Sequence, residues 1–130
     1  MLSDSPIQKI EIFKLIESNK NLSLEYDDFL SFCNSHKMPL DVFCNEFAII
    51  IAVKYLEGYF DFEFCDDQMN FLFIFMTTPP MLSMNTPEPA FSIFQSFDAG
   101  EYYHRGDDHL ISPEDKYTKP LIRKILNGEK

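Results

Sequence analysis

The stretch PLDVFCNEFAIIIAVKYLEG, residues 39–58, constrains this chain more than any other part of it. Phe43, Phe47, Ile50, Ile51 and Leu56 recur at helical spacing, and Ala48, Ile49, Ala52 and Val53 fill the gaps between them. A helix that is apolar on nearly every side cannot lie on a surface and has to be surrounded by other elements. Pro39 pre-sets the backbone of a first helical turn, and Gly58 suits the stop. The apolar run Phe47–Val53 is far shorter than the roughly 20 residues a bilayer span requires. The expectation is an all-α fold: a compact single-domain bundle of five to six helices around a central helix at 39–58, occupying residues 1–130.

The flanking segments supply the partners of that helix. Ser3, Asp4 and Ser5 offer a cap ahead of Pro6, and Ile7, Ile10, Phe13, Leu15 and Ile16 give an apolar face that runs out near Asn19–Asn21. Ser23 is placed to cap a second helix ending near His36, with Leu24, Phe29, Leu30 and Cys33 inward. Glu25, Asp27 and Asp28 in its first turns suit the helix dipole.

Residues 59–76 fit two templates. Phe60, Phe62 and Phe64, then Phe71, Phe73 and Phe75, alternate as in a β-hairpin turning at Asp66-Asp67. Equally, Asp61 can cap a helix in which Phe62, Cys65, Met69, Leu72, Phe73 and Met76 follow at steps of three or four. No glycine lies in the hairpin's turn, which favours a helix over 61–76 and leaves the hairpin as the main alternative. Pro79, Pro80 and Pro87 mark a loop, and Thr86-Pro87-Glu88 reads as a helix start. Phe91, Ile93, Phe94 and Phe97 then face inward up to Gly100. Ser112-Pro113-Glu114 opens a short turn that Pro120 is expected to interrupt. Leu121, Ile122, Ile125 and Leu126 form the last amphipathic segment, and Lys116, Lys119, Arg123, Lys124 and Lys130 gather basic charge there.

Charge narrows the classes of partner. The formal net charge of −10 opposes unaided binding to nucleic acid or to an anionic membrane, because phosphates would repel it. Three widely spaced cysteines, with no C-x-x-C, read as buried free thiols in a reducing compartment. The N-terminal segment lacks the basic start and apolar core of a secretory signal.

Chemistry-bearing residues are densest at 98–109. His104, Asp107, Asp108 and His109 are metal-ligand types, so a metal-dependent hydrolase built on the 104–109 loop is one reading. Against it, the two histidines are five residues apart, off a common helical face, and Gly106 suggests a loop in which Arg105 pairs locally with Asp107 or Asp108. There is no G-x-S-x-G motif, and four glycines leave no phosphate-cradling loop. No catalytic, cofactor-binding or metal-binding residue is therefore expected. The same carboxylates read better as a docking surface. Asp61, Glu63, Asp66 and Asp67 carry no basic residue among them, and Glu88, Asp98, Glu101, Asp107 and Asp108 stand against Arg105 alone. Tyr102 and Tyr103 lie inside the second group. Acids around aromatic anchors suit a basic protein surface, such as one that binds nucleic acid, and would block it by occupying its phosphate-binding groove.

Three segments carry a family resemblance: KYLEGYFDFEFCDDQMNFLF (Lys54–Phe73), GEYYHRGDD (Gly100–Asp108) and DKYTKPLIRKIL (Asp115–Leu126). Over roughly the last three-fifths of its length the chain resembles the small acidic immunity proteins of bacterial polymorphic toxin systems, including contact-dependent growth inhibition. The resemblance implies a cytoplasmic non-enzyme that binds one cognate toxin domain, frequently a nuclease, and neutralises it. It transfers no interface residue, since contacts differ between pairs. The partner-binding candidates Asp61, Glu63, Asp66, Asp67, Asp98, Glu101, Tyr102, Tyr103, Arg105, Asp107 and Asp108 rest on the charge argument alone. A small regulatory adaptor is the remaining alternative.

Overall fold

The computed structural model describes residues 6–128, with side chains from residue 8 onward. The Ser3–Ser5 cap, the Ile7 side chain and Lys130 lie outside the described residues. Six α-helices follow one another: α1 Pro6–Ser18, α2 Tyr26–Ser35, α3 Leu40–Leu56, α4 Phe62–Met76, α5 Ala90–Ala99 and α6 Lys119–Leu126. A 3-10 turn, Met81–Ser83, and a π-helical turn, Glu114–Thr118, complete the regular structure. No strand occurs among the described residues, so residues 62–76 are helical and the hairpin alternative falls away. Asp61 caps α4 as its sequence suggests, its carboxylate accepting the Phe64 N–H at 2.8 Å.

The apolar stretch is the central helix. α3 packs against α1, α2, α4, α5 and α6. Phe43, Cys44, Phe47, Ala48, Ile51 and Ala52 are fully buried in it. Ile12 and Ile16 of α1, Phe29 of α2, Leu72 of α4, Ile93 and Phe97 of α5 and Ile122 of α6 belong to the same contiguous core. Aromatic rings stand in for the missing Trp. Phe29 meets Phe43, Phe47, Phe71 and Phe75 edge-on, at centroid distances of 5.1–5.4 Å.

Several polar side chains that enter the core pair with one another or with the backbone. Asn19, at the end of α1, and Gln68 of α4 are fully buried and exchange hydrogen bonds. The Asn19 amide donates to Gln68 Oε1, and the Gln68 amide donates to the Asn19 carbonyl, both at 2.9 Å. Asn19 Oδ1 also accepts the Leu24 N–H. This set fixes α1 to α4 and shapes the turn into α2. Asn45 of α3 accepts the Ala90 N–H and so receives the first turn of α5. Thr118 donates to the Ser96 carbonyl and holds the π-helical turn on α5.

Sequence and structure differ at three starts. α2 takes Glu25 rather than Ser23 as its cap residue: the Asp28 carboxylate accepts the Glu25 N–H at 2.7 Å, and the Asp28 N–H donates to the Glu25 carbonyl at 2.9 Å. α5 begins at Ala90, not at Thr86-Pro87-Glu88. The Glu88–Pro89 bond is cis, Pro87 is buried, and the Glu88 carboxylate accepts the Ser92 N–H at 3.0 Å. Pro120 does not interrupt the last segment. It sits in the first turn of α6, and the π-helical turn runs directly into that helix. Among the described residues no helix is long and apolar enough to cross a membrane.

Candidate functional site

α4 and α5 are antiparallel. The rings of Phe62 and Phe97 approach at 5.9 Å at one end of the pair, and Phe73 stacks on Phe94 at 4.2 Å at the other. The first turns of α4 therefore lie beside the C-terminus of α5. That contact is tight at Gly100, where a Cβ would run into the Thr118 hydroxyl and reach 3.2 Å from both the Phe62 ring and the Glu114 backbone. The consequence is electrostatic. Asp66 of α4, partly buried beside the exposed Asp67, meets Asp98 and Glu101 across the junction. Two acidic groups about 30 residues apart in the chain become one face.

Asp66 is the most perturbed carboxyl of this face. Partial burial, then the hydrogen bond to Glu101, then the charges of Glu101, Asp67 and Asp98 push it up to about 8. Its carboxyl is hydrogen-bonded to Glu101, which also accepts from the Asn70 amide at 3.4 Å. Asp67, Asp98 and Glu101 are exposed. Asp61 and Glu63 stand exposed at the start of the same helix, Asp61 doubling as its cap.

The loop that leaves this face, residues 100–112, is irregular but closely tied. Its hub is Asp107, whose side chain is only 6% exposed. The carboxylate accepts from Lys116 Nζ at 2.7 Å, from the Tyr117 hydroxyl at 2.7 and 2.9 Å, and from the His104 N–H at 2.8 Å. Lys116 and Tyr117, aided by the His104 N–H, hold the Asp107 carboxyl well below the usual carboxylate range, with desolvation opposing them. The His104 ring lies between those of Tyr102 and Tyr117, at 5.1 and 3.9 Å, and its Nε2 is 2.8 Å from the Ala99 carbonyl. Tyr103 stacks on His109 at 4.0 Å and donates to the His109 carbonyl. Asp108 accepts the Leu110 N–H at 2.8 Å.

Most of the expected residues thus share one edge of the molecule. Asp66, Asp67, Asp98 and Glu101 are brought together, and Tyr102, Tyr103, Arg105 and Asp108 follow on the exposed loop. Asp107 is the exception: it is consumed inside the loop, and its ion pair is with Lys116 rather than with Arg105. Among the described residues, no three His, Cys, Asp or Glu side chains converge as metal ligands would. The cysteine thiols are buried; desolvation pushes Cys33 up to about 12 and raises Cys44 and Cys65 as well. A groove of about 770 Å³ lies elsewhere, between α5 and α6, lined by Pro89, Ser96, Leu121 and Ile125 with Glu88 and Lys124 at its rim.

Sequence reasoning missed Leu110 and Ile111, which are 90% and 49% exposed at the tip of the loop. The available signal was two consecutive aliphatic residues in a stretch with no helical or strand period, where no core needs them. It also missed Tyr117 and Lys116 as the partners that fix Asp107, a pairing set by the π-helical turn. No protein-family model, curated protein or solved structure matches this chain.

Proposed function

We propose that this chain is a cytoplasmic immunity protein that binds a cognate, basic toxin domain, foremost a nuclease, and neutralises it by occupying its surface rather than by catalysis. The observation that carries this reading is the convergence of Asp66, Asp67, Asp98 and Glu101 beside a tied loop that exposes Tyr102 and Tyr103. Acidic groups around accessible aromatic rings fit a surface built to hold phosphates. The net charge of −10 would accelerate encounter with such a surface. The likeness of residues 54–73, 100–108 and 115–126 to immunity proteins points the same way.

The metal-dependent hydrolase reading has less support, since Asp107 is committed to Lys116, Tyr117 and the His104 N–H. The test is co-expression with the C-terminal domain encoded beside this chain's gene. The proposal expects a stoichiometric complex and restored growth of cells producing that domain. A chain that purifies alone and leaves the cells unprotected contradicts it.

A further inference from the structure

Leu110 is the most exposed large apolar side chain among the described residues, at 90%, yet it sits on a loop that is held at several points. Asp107 anchors the base of the loop through Lys116, Tyr117 and the His104 N–H. Tyr103 closes over His109, Asp108 accepts the Leu110 N–H, and the Ile111 N–H reaches the Asp108 carbonyl. A free loop would let these side chains turn inward; here Leu110 and Ile111 are exposed, and Tyr103, 40% exposed, stacks on the preceding His109. Holding an apolar tip in place beforehand lowers the conformational cost of inserting it into a partner.

The charge around the tip selects the partner. Asp108 adjoins Leu110 and Glu101 precedes Tyr103, Arg105 is the single Lys or Arg from 101 to 111 while Asp107 is spent on Lys116, and the Asp67 and Asp98 carboxylates lie toward Glu101, so acid outweighs base around the tip. That rim repels anionic lipid and a second copy of the same rim, and it complements a cationic one. We infer that residues 103–111 form an apolar knob, with Leu110 as its anchor, that enters an apolar cleft rimmed by Lys and Arg on a basic protein domain. This rests on the function proposed above and goes further, assigning the dry centre of the interface to residues outside the acidic set. The carboxylates then serve as its rim, governing encounter, while the knob governs residence.

The test measures binding of the purified chain to the toxin domain encoded beside its gene. Leu110→Ala should weaken the complex about tenfold, and Leu110→Asp at least about a hundredfold, through faster dissociation. Leu82→Asp on the 3-10 turn and Leu121→Asp on the α5–α6 groove, at residues 61% and 40% exposed, should stay within about twofold of the parent protein. Leu110 touches little of the fold, so thermal melts of its variants should overlay the parent's. Tight binding by the parent protein with Leu110→Asp within about twofold of it overturns the knob and leaves the proposed function standing. Loss at Leu121 or Leu82 instead moves the interface elsewhere and likewise overturns the knob. Sedimentation with phosphatidylcholine vesicles, or a dimer that Leu110→Asp dissolves, would reassign the tip to lipid or to self-association. No binding by the parent protein removes the proposed function and the knob together.

Discussion

Asp66→Asn tests the electrostatics of the acidic face directly. The Asp66 carboxyl is pushed up to about 8 in the folded protein, against about 3.9 in an unfolded chain. Between those values the folded state holds a proton that the unfolded state has released. The contribution to stability is therefore full below about pH 4 and is lost as pH rises through about 8. At full strength a rise of that size corresponds to about 5–6 kcal/mol. Asp66 is only partly buried, and solvent screening reduces this to about 1–2 kcal/mol. Asparagine keeps an amide that can donate to Glu101 and has no proton to lose. The two proteins should unfold at similar urea concentrations near pH 4.5, and the variant should gain about 1–2 kcal/mol over the parent by pH 9. Because the difference between the two profiles is read, titration of other groups cancels. A difference that stays constant with pH, or that favours the parent protein at pH 9, would refute the carboxyl pair.

The same proton bears on binding: a partner cation placed beside Asp66 favours its ionised form, so affinity for the proposed basic partner should rise from pH 6 to 8.5 in the parent and stay level in Asp66→Asn, as titration calorimetry would show. Asp107→Asn should open the 100–112 loop, seen as several-fold faster tryptic cleavage at the exposed Arg105 with helix content unchanged. Because the Asp107 carboxyl is held low, its contribution is present above about pH 4 and lost as pH falls further, so acid should also loosen the loop of the parent protein. Phe29→Ala removes the ring that four others surround and should cost about 3–5 kcal/mol in chemical denaturation. Cys33, Cys44 and Cys65 should resist a thiol reagent in the native protein, and all three should react in denaturant.

The helices were legible where one side of the pattern repeats. Residues 40–56 announce a surrounded helix by being apolar all round, and 62–76 resolve as helix through the Asp61 cap and the three-and-four spacing, despite the alternating phenylalanines. Those phenylalanines alternate because α4 is covered on several sides: by α3, by α5, and by Phe60, which packs between Phe13 and the helix's own Phe64. The start of α5 was misread because the capping oxygen comes from Glu88, inside the proline-rich segment, rather than from Thr86 ahead of it. Nothing in the local pattern distinguishes the two. The acidic composition of the site was plain in the sequence, but its assembly was not. Asp66 meets Glu101 only because α4 and α5 run antiparallel with Gly100 pressed against Thr118 and Phe62. Asp107 shows the converse: an apparent surface charge, turned inward by Lys116 and Tyr117 from a segment whose π-helical turn has no sequence signature.

The central claim is that the converged carboxylates meet a basic partner. The measurement closest to it is the association rate with the proposed partner, the domain encoded beside this chain's gene, as ionic strength rises, for the parent protein and for a variant with Asp67, Asp98 and Glu101 reversed to lysine. The account predicts a parent rate that falls steeply with salt, and a reversed variant that is at least about tenfold slower at low salt with its fold intact. Equal rates with equal salt dependence would contradict it.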